Sequence, residues 1–284
     1  MGSDIKNRFG KGHGFGVICK LASLVMLSTV WSPAPAQSDT SWTPQKTISF
    51  HAVNFTTDNL GNIYFITGDN RLVKYDIRSD TTIAYNDFRY GTLGSVDATN
   101  PLQVILFYPD FGTILIMDRF LSLQNSIDLR SMHIFKADAV ADSYDNNLWV
   151  YDEQRARLEK IDLNGNPLLE SPDLRQVTGL VLQPDIILDM NNLVYLNDPA
   201  KGIFVFDHYG TYRNELHFTQ VKSLQLFNGQ LVMLRDDRVT VYNLGTLEEK
   251  ELSLPDPAGI LMTRMERNEL YVLRKDRLEI FVIK

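Results

Sequence analysis

Six stretches of the chain follow the same order of short apolar runs and polar turns, and no other feature narrows the possible folds as much. In 139–166, AVADSYDNNLWVYDEQRARLEKIDLNGN, a run ending at Asp142 is followed by a turn, a run over 148–151, a second turn and a run over 157–163. The same order recurs at 55–80, 185–210, 221–245 and 259–284, and in weaker form at 102–129. Runs of four to seven apolar or β-branched residues broken by Asn, Asp and Gly are the pattern of short strands joined by tight turns, and no helical period of useful length competes with them. Asn228-Gly229 is a strong hairpin pair, because both residues tolerate positive φ.

The repeat length decides the architecture. Taking the middle of the expected second strand of each unit as a marker gives Tyr64, Leu115, Trp149, Val194, Val232 and Tyr271, with spacings of 51, 34, 45, 38 and 39 residues. These scatter around the roughly 40 residues of a propeller blade, whereas solenoid repeats are mostly shorter or helical. The expected fold is all-β, a six-bladed β-propeller over residues 47–284. In the weak unit, 109–112 is expected as the first turn and 113–117 as the second strand. The last unit carries three strands, and 47–53 (TISFHAV) is an extra strand ahead of the first unit. Pairing it as the outer strand of the C-terminal blade closes the ring and leaves only short edges.

Residues 1–36 are expected to lie outside that fold. Lys6, Arg8, Lys11 and Lys20 precede an eleven-residue apolar core, 21–31, and Ala34-Pro35-Ala36 offers small residues for signal-peptide cleavage before Gln37. The core falls short of the about 20 apolar residues of a membrane span, so no transmembrane segment is expected after cleavage. Cys19 precedes the apolar run and follows Ile18, the wrong side and the wrong neighbour for lipid attachment, and it is the chain's single cysteine. A cysteine-free mature chain suits a bacterial periplasm or cell surface. Residues 37–46 read as a flexible polar lead-in.

Without 1–36 the chain keeps 24 Lys and Arg against 34 Asp and Glu, a formal charge of −10. That balance argues against nucleic acid, which is held by basic patches. Arg264, Arg267, Arg274, Lys275 and Arg277 crowd the C-terminus, but Glu266, Glu269, Asp276 and Glu279 interleave with them, which reads as a mixed solvated face.

The segments Asp58-Asn59-Leu60-Gly61-Asn62-Ile63-Tyr64, Arg71-Leu72 and Tyr75-Asp76 share one pattern with Leu148-Trp149-Val150-Tyr151-Asp152, Arg157-Leu158 and Ile161-Asp162-Leu163-Asn164-Gly165. This pattern resembles the NHL, YWTD and TolB-like superfamily of six-bladed propellers. Gly202-Ile203 departs from it where Arg-Leu would stand, and the unit at 102–129 departs most. The resemblance covers nearly all of 47–284 and implies a fold shared by unrelated activities.

Chemistry is sparse by comparison. Arg71, Arg157, Arg238 and Arg277 each begin a third strand and are expected to pair with nearby turn carboxylates such as Asp69 or Asp236. Asp58, Asp145, Asn146, Asn191, Asn192 and Asn228 suit turns, and none of them completes a D-x-D-x-D-G calcium loop. There is no G-x-S-x-G, no phosphate loop and no H-x-x-x-H among His51, His133, His208 and His217. The fold also resembles propeller lactonases and related hydrolases, which implies a divalent cation held by oxygen ligands from inner strands. Asn54, Asp142 and Asp189 are the candidates on or beside first strands, and calcium or magnesium would suit them. The leading expectation is a non-catalytic binding, sensor or scaffold module of the bacterial envelope, with no cofactor and with an envelope protein or small ligand as partner. The alternative is a metal-dependent hydrolase or lyase at the central channel.

Overall fold

Alternation along each strand puts neighbouring side chains on opposite faces. A strand buried on both faces must therefore be apolar along nearly all its length, and that is how the second strands are composed: Asn62–Ile66, Val104–Tyr108 and Leu148–Asp152 are buried at every position. The computed structural model describes residues 42–254 and 256–283, so the expected signal segment, 1–36, lies outside the described residues. These residues form 24 strands in six four-stranded antiparallel sheets, which confirms the six-bladed propeller.

Strand β1 (Trp42–Ser49) precedes blade 1, which holds β2 (Asn54–Thr57), β3 (Asn62–Ile66), β4 (Leu72–Asp76) and β5 (Thr81–Tyr85). Blade 2 holds β6 (Ser95–Asp97), β7 (Val104–Tyr108), β8 (Thr113–Met117) and β9 (Leu123–Asp128). Blade 3 holds β10 (Ala137–Asp142), β11 (Leu148–Asp152), β12 (Arg157–Ile161) and β13 (Pro167–Glu170). Blade 4 holds β14 (Ile186–Met190), β15 (Leu193–Asp198), β16 (Gly202–Asp207) and β17 (Tyr212–Leu216). Blade 5 holds β18 (Ser223–Phe227), β19 (Gln230–Arg235), β20 (Arg238–Asn243) and β21 (Glu249–Leu252). Blade 6 holds β22 (Met262–Glu266), β23 (Glu269–Leu273) and β24 (Arg277–Ile283).

The fourth strand of blade 6 comes from the other end of the chain: β1 pairs antiparallel with β24, from Trp42 opposite Ile283 to Ser49 opposite Arg277. The expected closure is therefore present, but the closing strand is 42–49 rather than 47–53. Residues 42–46, expected in the lead-in, lie in the sheet. An outer strand needs few apolar positions, and only Trp42, Lys46 and Ile48 of β1 are even partly covered. Pro44 sits at a register shift on this outermost strand, where a residue without an N–H is tolerated. Residues 50–53 instead carry the chain from blade 6 to blade 1. Phe50 N–H donates to the Asp276 carbonyl at 3.1 Å, and its ring stacks on Phe65 at 4.4 Å.

Blade 2 also corrects an expectation. Thr113–Met117 is its third strand, not its second; the second is Val104–Tyr108, and the inner strand Ser95–Asp97 precedes the repeat unit as drawn from sequence. With Leu106 as the marker, the spacings on either side become 42 and 43 residues, and the irregularity of the period disappears.

The core is divided among the blade interfaces. Tyr64 and Ile66 pack with Leu106 and Leu115 of blade 2, while Ile63 and Phe65 of the same strand pack with Tyr271 and Leu273 of blade 6. Trp149 and Tyr151 likewise face Val194 and Phe204 of blade 4, and Leu148 and Val150 face Ile105 and Ile116 of blade 2. Each pair of neighbouring blades has one such cluster among the described residues. Gly202 departs from the repeat for a steric reason: at φ +129° a Cβ there would lie 2.7 Å from the Leu216 carbonyl oxygen.

Candidate functional site

The first strand of each blade pairs on one side only and lines the central channel. Where β2, β6, β10, β14, β18 and β22 end, their last residues and the turns that follow enclose a cavity of about 140 Å³. Thr57, Asp97, Asp142, Asp189, Gln225, Arg264 and Glu266 supply its polar wall, and Leu188, Met190 and Phe227 an apolar one.

Two of the three expected metal-site residues, Asp142 and Asp189, line this cavity; Asn54 does not, because it begins β2 at the end away from Thr57. Among the described residues no group of three or more His, Cys, Asp or Glu side chains is arranged to hold a metal ion.

Most of the wall is committed to joining blades. Asp97 accepts from the backbone N–H of Thr99 at 2.9 Å and, across the interface, from that of Asp142 at 2.8 Å. Asp189 Oδ2 accepts from Ser143 Oγ and Trp149 Nε1 of blade 3, both at 2.7 Å. Gln225 of blade 5 makes a two-point contact with blade 6: Met265 N–H donates to its Oε1 at 2.8 Å and its Nε2 donates to the Met265 carbonyl at 2.9 Å. Thr57 of blade 1 donates to Glu266 and accepts from Arg264 Nε at 3.0 Å. Asp58 is a turn residue, as expected: its Oδ1 accepts from the N–H groups of Leu60 and Asn62. Asp118, Asp162 and Asp207 repeat that i+2, i+4 arrangement.

Three groups remain under electrostatic tension. Burial, reinforced by the neighbouring Asp97 carboxylate, pushes Asp142 up to about 8, against the opposing donor Gln103 Nε2 at 3.0 Å. Burial also draws the Arg264 guanidinium below its ordinary value, with Glu266 and Asp97 opposing. Asp189 Oδ1 is buried and meets no donor among the described residues.

Arg264 corrects the reading of the C-terminus as a solvated face. It projects into the channel, and Arg274 is buried with its Nε on Glu279 at 2.6 Å. The repeated arginines are all paired, though not all with turns. Arg71 meets Asp69 at 2.8 Å and Arg277 meets Asp276 at 3.1 Å, whereas Arg157 and Arg238 reach Glu170 and Glu251 on the outer strands. Pairs this exposed contribute about 0–1 kcal/mol each. Among the described histidines His51, His133 and His217 are exposed, and none lines the cavity.

No family model and no curated protein matches the chain in sequence. Solved structures do. A catalytically inactive histidine-to-alanine variant of virginiamycin B lyase from Staphylococcus aureus, solved with quinupristin, matches with a TM-score of 0.62 at 10% identity, over 84% of this chain and 99% of that one. The Pan2 WD40 domain of Neurospora crassa matches with a TM-score of 0.60 at 12% identity, over 86% and 96%. A chain of the mitotic checkpoint complex matches with a TM-score of 0.59 at 12% identity, over 93% and 99%. At such identities the likeness is one of fold, and it extends to a lyase as well as to a WD40 domain and a chain of a multiprotein complex.

Proposed function

We propose that this protein is an exported, non-catalytic binding module of the bacterial envelope, of the NHL, YWTD and TolB-like kind, working in the periplasm or at the cell surface. It holds a ligand at the channel mouth and presents its turns to an envelope partner. The observation that carries this reading is the use made of the channel's polar groups. Asp58, Asp97, Gln225 and one oxygen of Asp189 are spent on turns and blade-to-blade bonds, which makes a stiff polar socket rather than a pair of groups poised for proton transfer. Propellers with interaction roles share the fold, and among the described residues no helix is long and apolar enough to cross a membrane.

The test is capture with a control built in. The protein retrieves a partner from envelope extract, and charge introduced on the same face as the cavity by Tyr144→Asp and Tyr209→Asp, both exposed turn residues, abolishes the retrieval. Capture that survives both changes, or no capture, counts against the reading.

A second reading, a hydrolase or lyase, is favoured by one observation: Asp142 keeps its proton to about pH 8 and could serve as a general acid. Its metal-dependent form is tested by melting with and without EDTA together with metal analysis. On the binding reading the melting temperature is unchanged and no stoichiometric calcium or magnesium is found; a drop on chelation would favour the enzyme.

A further inference from the structure

Two groups of opposite character line the channel mouth on different blades, Arg264 on blade 6 and Asp189 on blade 4. On blade 6, Arg264 spends its Nε on Thr57, and its two terminal nitrogens meet no protein acceptor among the described residues. Glu266 and Asp97 act on it electrostatically, but among the described residues neither forms a salt bridge with it. A guanidinium with its fork free is built for a planar two-oxygen anion. Asp142 ends the inner strand of blade 3, across the ring from blade 6, and Asp189 lies near the end of the inner strand of blade 4, two blades from blade 6. There Asp189 has one oxygen fixed by Ser143 and Trp149 and the other buried with no donor, and Asp142 lies alongside. A buried acceptor left without a donor is costly, so Asp189 keeps unused acceptor capacity that a ligand N–H takes up once the carboxylate turns toward the cavity.

These features exclude simpler ligands. A bare anion would meet Arg264 but also the carboxylates of Asp97, Asp189 and Glu266. A bare cation would suit the carboxylates but leave the guanidinium fork empty and repel it. Leu188, Met190 and Phe227 add an apolar strip to the same wall. The cavity, about 140 Å³, has room for several waters or one small metabolite and is well below the size of pockets for larger organic ligands.

We propose that the channel mouth binds a small zwitterion, a free α-amino acid with an aliphatic side chain or a molecule of equivalent chemistry. Arg264 receives its carboxylate, Asp189 with Asp142 receives its ammonium, and Leu188, Met190 and Phe227 receive its side chain. This deepens the binding reading and rests on it, by naming the ligand class for that socket.

Calorimetric titration of the purified protein with the twenty free amino acids tests the proposal. Saturable binding is expected for at least one aliphatic amino acid. Its N-acetyl derivative, which lacks the ammonium, and its amide, which lacks the carboxylate, should each bind at least tenfold more weakly. Arg264→Gln and Asp189→Asn should each weaken binding at least tenfold, whereas Arg238→Gln, on the outer surface, should leave it unchanged. The blocked ligands are measured on the unaltered protein, so the test survives a variant that fails to fold. If no amino acid binds, or if the blocked forms bind as well as the free one, the proposal is overturned; glucose binding in their place would assign the socket to a neutral polyol. Partner capture that persists when the titrations are blank removes the zwitterion site alone, while loss of both removes the binding module as well.

Discussion

Asp142 is held against its own chemistry: it is buried, it donates its backbone N–H to one carboxylate and it lies beside another, so it keeps its proton up to about pH 8. The unfolded chain releases that proton near the ordinary aspartate value, about 4. Between those two values the folded state binds more protons than the unfolded one. The stability associated with protonated Asp142 is therefore complete below about pH 4, falls as the pH rises and is gone above about pH 8. Asp142→Asn keeps the shape and removes the titration. Thermal melts at pH 5 and pH 9 are expected to show the variant gaining several degrees on the parent at the higher pH; parallel behaviour at both would refute the assignment. Asp142 and Asp189 were visible in the sequence because they close first strands of recognisable blades. Arg264 was not, because it opens a charge-rich stretch with Glu266, Arg267 and Glu269, and only its place on the inner strand β22 brings it to the cavity. A lone glutamine such as Gln225 leaves no sequence signal at all, since its role depends on a backbone that is 40 residues away along the chain.

At the scale of the strand, the inner strands are held to one another mainly by side chains. Gln225 satisfies both the N–H and the carbonyl of Met265, and Ser223 reaches the Thr263 carbonyl at 3.2 Å on the same interface. Gln225→Leu would leave two buried backbone groups unpaired, and the loss of unfolding free energy is expected to be about 2–6 kcal/mol, from about 1–3 kcal/mol for each buried group left unsatisfied. Arg238→Ala, which breaks an exposed pair with Glu251, is expected to lose less than about 1 kcal/mol. Urea titration of both variants checks the contrast, and equal losses would show that the blade 5–6 contact is not a structural bond. The second and third strands were legible because both of their faces are buried. The fourth strands were not: Thr81–Tyr85 and Glu249–Leu252 are largely exposed, with one end residue of each packed inward, so backbone pairing does most to make them strands. The same cause hid the first half of β1.

For the whole molecule, the forty-residue period was enough to count the blades, because every blade must present two apolar faces to its neighbours. Closure depends on the single sheet that joins the two ends of the chain. Strand β1 covers the outer edge of β24, Trp42 packs on the blade 5–6 cluster and Ile48 on the blade 6–1 cluster. Lys46 Nζ also donates to Tyr75 Oη of blade 1 at 2.8 Å, so the closing strand ties blade 6 to the blade that follows it. A chain that starts at residue 50 would keep five complete blades but leave β24 with a free edge and remove covering from two interfaces. Free edges of this kind pair with other chains. Amide exchange followed along the chain is expected to show β22 to β24 losing protection first while β10 to β12 of blade 3, opposite, retain theirs, and the shortened protein is expected to associate as its concentration rises. Uniform loss of protection in all six blades would mean that the ring opens as one unit and that β1 contributes no more than any other outer strand. Unchanged protection would mean that the ring is held shut by the blade interfaces alone.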